Sequence, residues 1–289
     1  RMHELTNSEF KFYELKTLKK IDEICMKNNF RYYLAYGTLL GAIRHKGFIP
    51  WDDDVDIWMP RPDYEKFVKY CIDNEEKMGC YQLVHYRNNI NYCMGMARFY
   101  DKRTKVLENH VREYGLGVFI DVYPLDGCGN NVKSAEHIFV KNRNKRFLAG
   151  IGAPEKYEKS KSGLVGNLVK FCCYKYANCI GINKILEKMD YQSMKYKFED
   201  EYVATTVWAI YRKGTLMQEW IGKSNSVDIF RREWFDNILR VDFENIKVNI
   251  PSEYHKILSH RYGDYMKYPP ISEQNGHHDF LAYLREEYS

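Results

Sequence analysis

YGTLLGAIRHKGFIPWDDDVDIW, residues 36–58, holds the pattern on which the reading of this 289-residue chain turns. Its last part, residues 54–59, alternates like a β-strand. Side chains in a strand point to opposite faces in turn. Asp54 and Asp56 therefore share one side, and Val55 and Ile57 the other. Two carboxylates held side by side repel unless a cation lies between them. Oxygen-only donors favour a hard ion such as magnesium, which keeps positions open for substrate phosphates. Upstream, Gly37 permits a tight turn and close backbone approach to a ligand. Thr38 is placed to cap a short helix, residues 39–45, whose free N–H groups form an anion site. Arg44, His45 and Lys46 add positive charge just before the acidic strand, a run that a helix C-terminus also favours.

A second stretch repeats the parity. In GVFIDVYPLDG, residues 117–127, Phe119, Asp121 and Tyr123 lie on one side and Val118, Ile120 and Val122 on the other. If the two strands are neighbours, Asp121 joins Asp54 and Asp56 as a third carboxylate. Such a cluster can hold one or two magnesium ions (manganese is the alternative) across a diphosphate. Arg98, on a further strand-like segment, has the parity to reach the same cleft. Singly these signals are weak: an Asp-x-Asp pair is more often a solvated edge, and Gly-Thr before a helix is ordinary capping. Jointly they are specific, because fold stability alone does not ask for three acids on one sheet face.

Composition bounds the rest. The chain is 45% hydrophobic, 29% charged and 16% aromatic, which suits a globular protein with a full core. It excludes a disordered chain, a collagen-like chain and a disulfide-scaffold miniprotein. A net charge of +5 falls well short of a general nucleic-acid binder, so no nucleic-acid partner is expected. The 8 cysteines include no Cys-x-x-Cys pair, and Cys172 and Cys173 are adjacent, which makes a reduced, cytoplasmic setting the simpler reading. Residues 1–4 carry no signal-peptide character. No apolar run reaches the roughly 18 residues of a spanning helix.

The expected order is α/β first, then mostly helical. Helices are expected over residues 6–29, with Thr6 and Glu9 in capping-box spacing, from Pro62 onward, and over 131–148. Strands are expected near 30–35, 81–86, 92–100 and 117–123. Residues 163–189 read as one long helix. The tail reads as a hairpin, 239–243 with 246–250, then a helix over 252–262 stopped by Gly263, with Tyr254, Ile257, Leu258 and Tyr262 inward. The domain expectation is a core over residues 1–155 and a mainly helical region over 156–289 that packs on it and closes the site.

Three blocks carry a family resemblance: YGTLLGAIRHKGFIPWDDDVDIWMPRPDY (36–64), GVFIDVYPLDG (117–127), and YGDYMKYPP (262–270) followed by His277-His278. The general pattern resembles the nucleotidyltransferase-fold superfamily, with Thr38 where Ser is usual. Within it the chain is similar to the LicD family of phosphocholine transferases of bacterial surface polysaccharides. Fukutin-type ribitol-phosphate transferases look similar around the Asp-x-Asp core. The resemblance implies an α+β fold, with a mixed sheet flanked by helices. It implies magnesium-dependent transfer of phosphocholine from CDP-choline to a sugar hydroxyl of a lipid-linked glycan or teichoic acid precursor, with release of CMP.

By motif position, Asp54 and Asp56 would be metal ligands, and Asp121 the third ligand or the base. Arg44, Lys46 and Arg98 would contact phosphate. Asp52 and Asp53 precede the acidic pair in the loop, Asp52 with the parity of Asp54. Tyr33, Tyr36, Trp51, Trp58 and Tyr123 are candidates for an aromatic cage around choline, although Trp51 beside Pro50 also reads as packing. His277 and His278 would close over the site or form an exposed tail pair. Asp264 reads as structural, stopping the helix and ordering the tail.

The helix over residues 163–182 shows a polar face of Asn167, Lys170, Tyr174 and Asn178, and it follows Lys156, Lys159 and Lys161. It reads either as an ordinary core-facing helix or as a peripheral contact with the inner face of the plasma membrane. The alternatives to choline are ribitol, glycerol and ethanolamine phosphates. A different class of protein, a non-catalytic glycan-binding module, would have no need of repelling carboxylates.

Overall fold

Thr6 starts the first long helix as its spacing predicts. Its hydroxyl accepts from the Glu9 N–H at 3.3 Å, and the Glu9 carboxylate accepts from the Thr6 N–H at 2.8 Å. The coordinates, a computed structural model, describe residues 3–52, 54–207, 228–274 and 280–288. Asp53, His277 and His278 lie outside the described residues.

In chain order the elements begin β1 (His3–Glu4), α1 (Asn7–Asn28), β2 (Tyr33–Leu34), α2 (Tyr36–Arg44), β3 (Asp56–Pro60) and α3 (Arg61–Asp73). Then come β4 (Tyr81–Val84), β5 (Ala97–Asp101), β6 (Thr104–Glu108), β7 (Val118–Gly127), α4 (Val132–Gly152), α5 (Gly163–Ile180) and α6 (Ile182–Ser193). The last are β8 (Tyr202–Ala204), β9 (Ile229–Arg231), β10 (Ile238–Phe243), β11 (Ile246–Pro251), α7 (Tyr254–Tyr262) and β12 (Phe280–Leu284). The fold is α+β. One mixed sheet runs β2-β3-β7-β5-β4, with β8 and β9 continuing from the end of β7. Among the described residues, only the β3–β7 pair in it is parallel. A second sheet runs β1-β12-β6, and β10 and β11 form a hairpin.

β7 is the axis of the molecule. All ten of its residues are buried, as expected of a central strand covered on both faces. α1 and α3 pack against this sheet. Leu18, Ile21, Ile24 and Cys25 of α1 and Tyr64, Phe67, Val68 and Cys71 of α3 are buried in the core. Phe12, on the same helix, is exposed.

Several elements differ from the sequence reading. The expected helix over 163–189 is two helices, broken at Gly181, whose φ of 92° suits glycine and interrupts the helical path. Among the described residues beyond 155, five strands accompany three α-helices, and only β10 and β11 among those strands are in the sequence reading. β8 pairs with β7, and β12 pairs with β6, so this stretch adds strands to sheets begun earlier. In α7, Ile257 and Leu258 are inward, while the Tyr262 ring is partly exposed. Gly263 ends α7 with a φ of 69°, as predicted.

A buried charge network pins α6 to this frame. Arg61 donates from Nε to Asp126 at 2.6 Å and from a terminal nitrogen to Asp190 at 2.7 Å. Burial by itself would raise the Asp190 carboxyl, but Arg61, the Tyr86 hydroxyl and Arg87 outweigh it and lower it. Beside this network His85 is fully buried, and burial, aided by Arg87, pushes its imidazole down to about 3.

Neutral His85 must take up a proton in the unfolded chain but not in the folded one. Its contribution is therefore complete above pH 6.5 and is lost as pH falls from 6.5 toward 3. Acid denaturation should be steep across that window. His85→Gln, which does not titrate, should flatten the slope of thermal stability between pH 6.5 and 4. An unchanged slope would assign the acid sensitivity to other groups.

Candidate active site

Strand register assembles the site. On the parallel pair β3–β7, Asp56 is directly opposite Asp121. Neighbouring strands lie about 4.8 Å apart, so paired residues present their side chains to one face. The Asp121 N–H donates to the Val55 carbonyl at 3.0 Å, which carries the pairing back toward Asp54. Asp54 itself precedes β3 and is half-buried, while Val55 and Ile57 enter the core. The strand expected over residues 54–59 is present and starts two residues later, at Asp56, with all of its residues buried.

Thr38 does not cap α2. The helix opens earlier, at Tyr36, with Ala35 as its cap. The buried Thr38 hydroxyl instead accepts from the Asp56 N–H at 2.9 Å, and the Ala35 N–H donates to the Asp56 carbonyl at 2.9 Å. The Gly-Thr segment thus fixes the backbone of the metal-ligand candidate. Tyr36 pays for this entry with a left-handed φ of 46°, a strained value for an aromatic residue. At Gly37 a Cβ would lie 2.6 Å from an Asp52 carboxylate oxygen, so a side chain there would displace that carboxylate.

The electrostatics match a cluster of acids. Burial first, then Asp54, Asp121 and Asp52, push the Asp56 carboxyl well above the usual carboxylate range, while Arg261 pulls the other way. Oδ1 of Asp56 is buried and has no hydrogen-bond partner. A buried acceptor without a partner is costly, and a hard divalent ion would satisfy it. Among the described residues, no three His, Cys, Asp or Glu side chains already stand in an ion-binding array. Asp54 and Asp56 thus offer suitable donors, with Asp121 alongside.

Of the positively charged candidates, Arg98 reaches the acids, as its parity predicts. Arg98 is buried behind Asp121, donating from Nε to its Oδ1 at 2.7 Å. Its terminal nitrogen donates to Glu108 at 2.8 Å and to the Tyr114 hydroxyl at 2.7 Å, and its guanidinium lies 4.0 Å from the Phe119 ring centre. That geometry makes it a positioning residue for Asp121, where the sequence reading has it touching phosphate. Arg44 reaches the opposite way, donating to the Tyr265 carbonyl at 3.0 Å, with the rings of Tyr268 and Trp51 at 4.8 and 5.9 Å. Arg44 and Trp51 thus hold the tail segment against α2. Lys46 is exposed in the turn after α2, its φ 61° and its carbonyl accepting from the Glu244 N–H at 2.8 Å.

Sequence reasoning missed Arg261. It ion-pairs with Asp228 and lies over the Tyr36 ring at 4.6 Å. It immediately precedes the YGDYMKYPP block, which is the signal that was available. An aromatic wall borders the acids: Tyr36 packs edge-on against Trp58 at 4.8 Å and Tyr123 at 5.6 Å, and the Tyr123 hydroxyl is 3.4 Å from Asp121.

The chain is similar to known proteins. Residues 29–144 match a family model described as LicD/FKTN/FKRP, nucleotidyltransferase domain. The lipopolysaccharide cholinephosphotransferase LicD of Haemophilus influenzae is 28% identical over 285 residues, covering 98% of this chain and 100% of that protein. Shorter matches join the chain to an uncharacterized protein of Rickettsia prowazekii, 40% identical over 26% of this chain and 27% of that protein. One from Rickettsia typhi is 31% identical over 37% of this chain and 36% of that protein.

Proposed function

We propose, from a chain whose residues 29–144 belong to the LicD/FKTN/FKRP nucleotidyltransferase family, that it is a phosphotransferase moving phosphocholine from CDP-choline to a sugar hydroxyl of a surface glycan. The observation that carries the reading is the pairing of Asp56 with Asp121 on adjacent parallel strands, with an unpartnered buried oxygen on Asp56. Magnesium, held by Asp54 and Asp56 with Asp121 beside them, would neutralise charge on the diphosphate and on the leaving CMP.

Around that charge the chain's own residues divide the work. Thr38 and Ala35 fix the Asp56 backbone. Arg98 orients Asp121, which is the third ligand or accepts the proton of the attacking hydroxyl. The sugar oxygen bonds to the phosphorus next to choline, the bond to the CMP oxygen breaks, and CMP leaves with the electron pair. Arg261 adds positive charge beside the acids and would contact phosphate, and Tyr36 and Tyr123 border the acids, while Trp58 is fully buried among Phe230 and Phe235. The acceptor belongs to the lipopolysaccharide or teichoic-acid-precursor class.

Thermal-shift titration separates the donors. CDP-choline with magnesium should raise the melting temperature, since a ligand that binds only the folded state stabilises it by about 2.7 kcal/mol at a hundred times its Kd. CDP-ribitol, CDP-glycerol, CDP-ethanolamine and nucleoside triphosphates should shift it less. A larger shift with CDP-ribitol would move the assignment to that alcohol. Absence of any shift, together with no CMP release in the presence of lipopolysaccharide, would sink the transferase reading.

A further inference from the structure

α5 is built with its faces reversed relative to an ordinary surface helix, which turns its polar side to water. Here the polar side faces the protein. The Tyr157 hydroxyl donates to the Asn167 carbonyl at 2.7 Å, and the Asn167 side chain donates to the Ser160 carbonyl at 3.0 Å. Lys170 donates to the Glu158 carbonyl at 2.7 Å, and the Tyr174 hydroxyl to that of Glu155 at 2.9 Å. The Asn178 amide accepts from Arg112. These bonds strap the helix to the preceding loop, and the Asn178 amide donates to the Gly152 carbonyl at 3.5 Å, at the end of α4. Ala177 is the only residue of α5 that is fully buried.

The apolar side faces out. Leu164, Val165, Leu168 and Val169 are exposed to 92, 77, 64 and 57%, and Cys172, Tyr176 and Cys179 continue the exposed stripe. The spacing of 164, 165, 168, 169, 172 and 176 is that of one helical face. A contiguous exposed apolar face of this kind marks an interaction site. The surrounding charge says what sort. The 18 residues of α5 contain no Asp or Glu. Residues 132–180 carry ten Lys and Arg against three Asp and Glu, while the whole chain is nearly balanced at 44 to 39. Lys156, Lys159, Lys161 and Lys175 are exposed beside or on the helix. No helix among the described residues is long and apolar enough to cross a membrane.

We infer that α5 is a monotopic docking helix that lies in the headgroup region of an anionic phospholipid surface. Its aliphatic face enters the acyl boundary while its lysines meet phosphate charge. At about 1.5 Å per residue the helix would lay roughly 27 Å along that surface. This inference is independent of which CDP-alcohol the chain uses, and a failure of either leaves the other standing.

Co-sedimentation of the full chain with vesicles tests it. Binding to phosphatidylcholine vesicles containing 30% phosphatidylglycerol (about a third anionic lipid) is expected, with little binding to phosphatidylcholine alone and a loss as salt rises. Leu164→Gln with Leu168→Gln, both at solvent-facing positions, should weaken binding by about tenfold or more while the melting temperature stays unchanged. Lys156→Glu with Lys159→Glu and Lys161→Glu should remove the preference for anionic lipid. The inference is overturned if the wild-type chain stays in the supernatant with anionic vesicles, or if the Leu164→Gln/Leu168→Gln variant binds them equally. It is likewise overturned if those substitutions dissolve a dimer on size exclusion without altering vesicle binding, which would assign the face to a second copy of the chain.

Discussion

Asp56→Asn is expected to abolish transfer and, at the same time, to stabilise the metal-free protein at neutral pH. The loss of turnover should be on the order of a thousandfold or more, since a ligand to the charge-neutralising ion is removed at the reacting phosphate. The gain in stability follows from the sign of the Asp56 shift. Burial and the neighbouring acids raise its carboxyl well above the usual range in the folded state. The folded chain then binds more protons than the unfolded one. Stability therefore falls as pH rises from about 4 through the folded-state value. Asn does not ionise, so the variant should escape a penalty of about 1–3 kcal/mol.

Calorimetry without magnesium should show this as a higher melting temperature for Asp56→Asn at pH 7 and no difference near pH 3. Added magnesium should then stabilise the wild type and leave the variant unmoved. Full turnover by the variant, or equal stabilisation of both by magnesium, would show that the ion does not sit at Asp56.

Arg98→Met is expected to act in the opposite direction on stability. Arg98 is buried and holds Asp121, Glu108 and Tyr114 together. Removing it leaves two carboxylates inside the protein without their cation, which costs about 3–5 kcal/mol. Activity should fall with it, because Asp121 loses the group that orients it. Arg98→Lys should restore part of the stability, but a single ammonium cannot reproduce the three-way contact of the guanidinium. The alternative expectation from sequence, a direct phosphate contact, makes a different forecast: a raised KM for the donor with stability nearly intact. Denaturant midpoints and steady-state kinetics on the two variants separate these outcomes.

The acidic constellation was legible because it rests on local periodicity. Asp54, Asp56 and Asp121 share parity within their own short segments, and the pairing of β3 with β7 needed only that the two strands be neighbours. The capping box at Thr6 and the stop at Gly263 are local in the same sense. The partners of Arg44 and Arg261 were not legible. Arg44 finds its acceptor 221 residues away, at Tyr265, and Arg261 meets Tyr36 from a similar distance in sequence. A long flexible cation can pair with any acid or ring that folding brings near, so its own neighbours in sequence say little about its partner. Thr38 shows the same limit at short range. A hydroxyl before a helix looks like a cap, yet the return of β3 offered it the Asp56 N–H instead.

Periodicity by itself determined which residues share a face: three acids on one side of two strands, and polar and apolar stripes on the helix that became α5. Tertiary packing alone decided what each face meets. It set Asp56 beside Asp121, put Arg98 behind them, and turned the apolar stripe of α5 toward solvent. The reason is that a dihedral repeat fixes directions within one element, whereas orientation relative to the rest of the chain depends on which distant surfaces can be buried together.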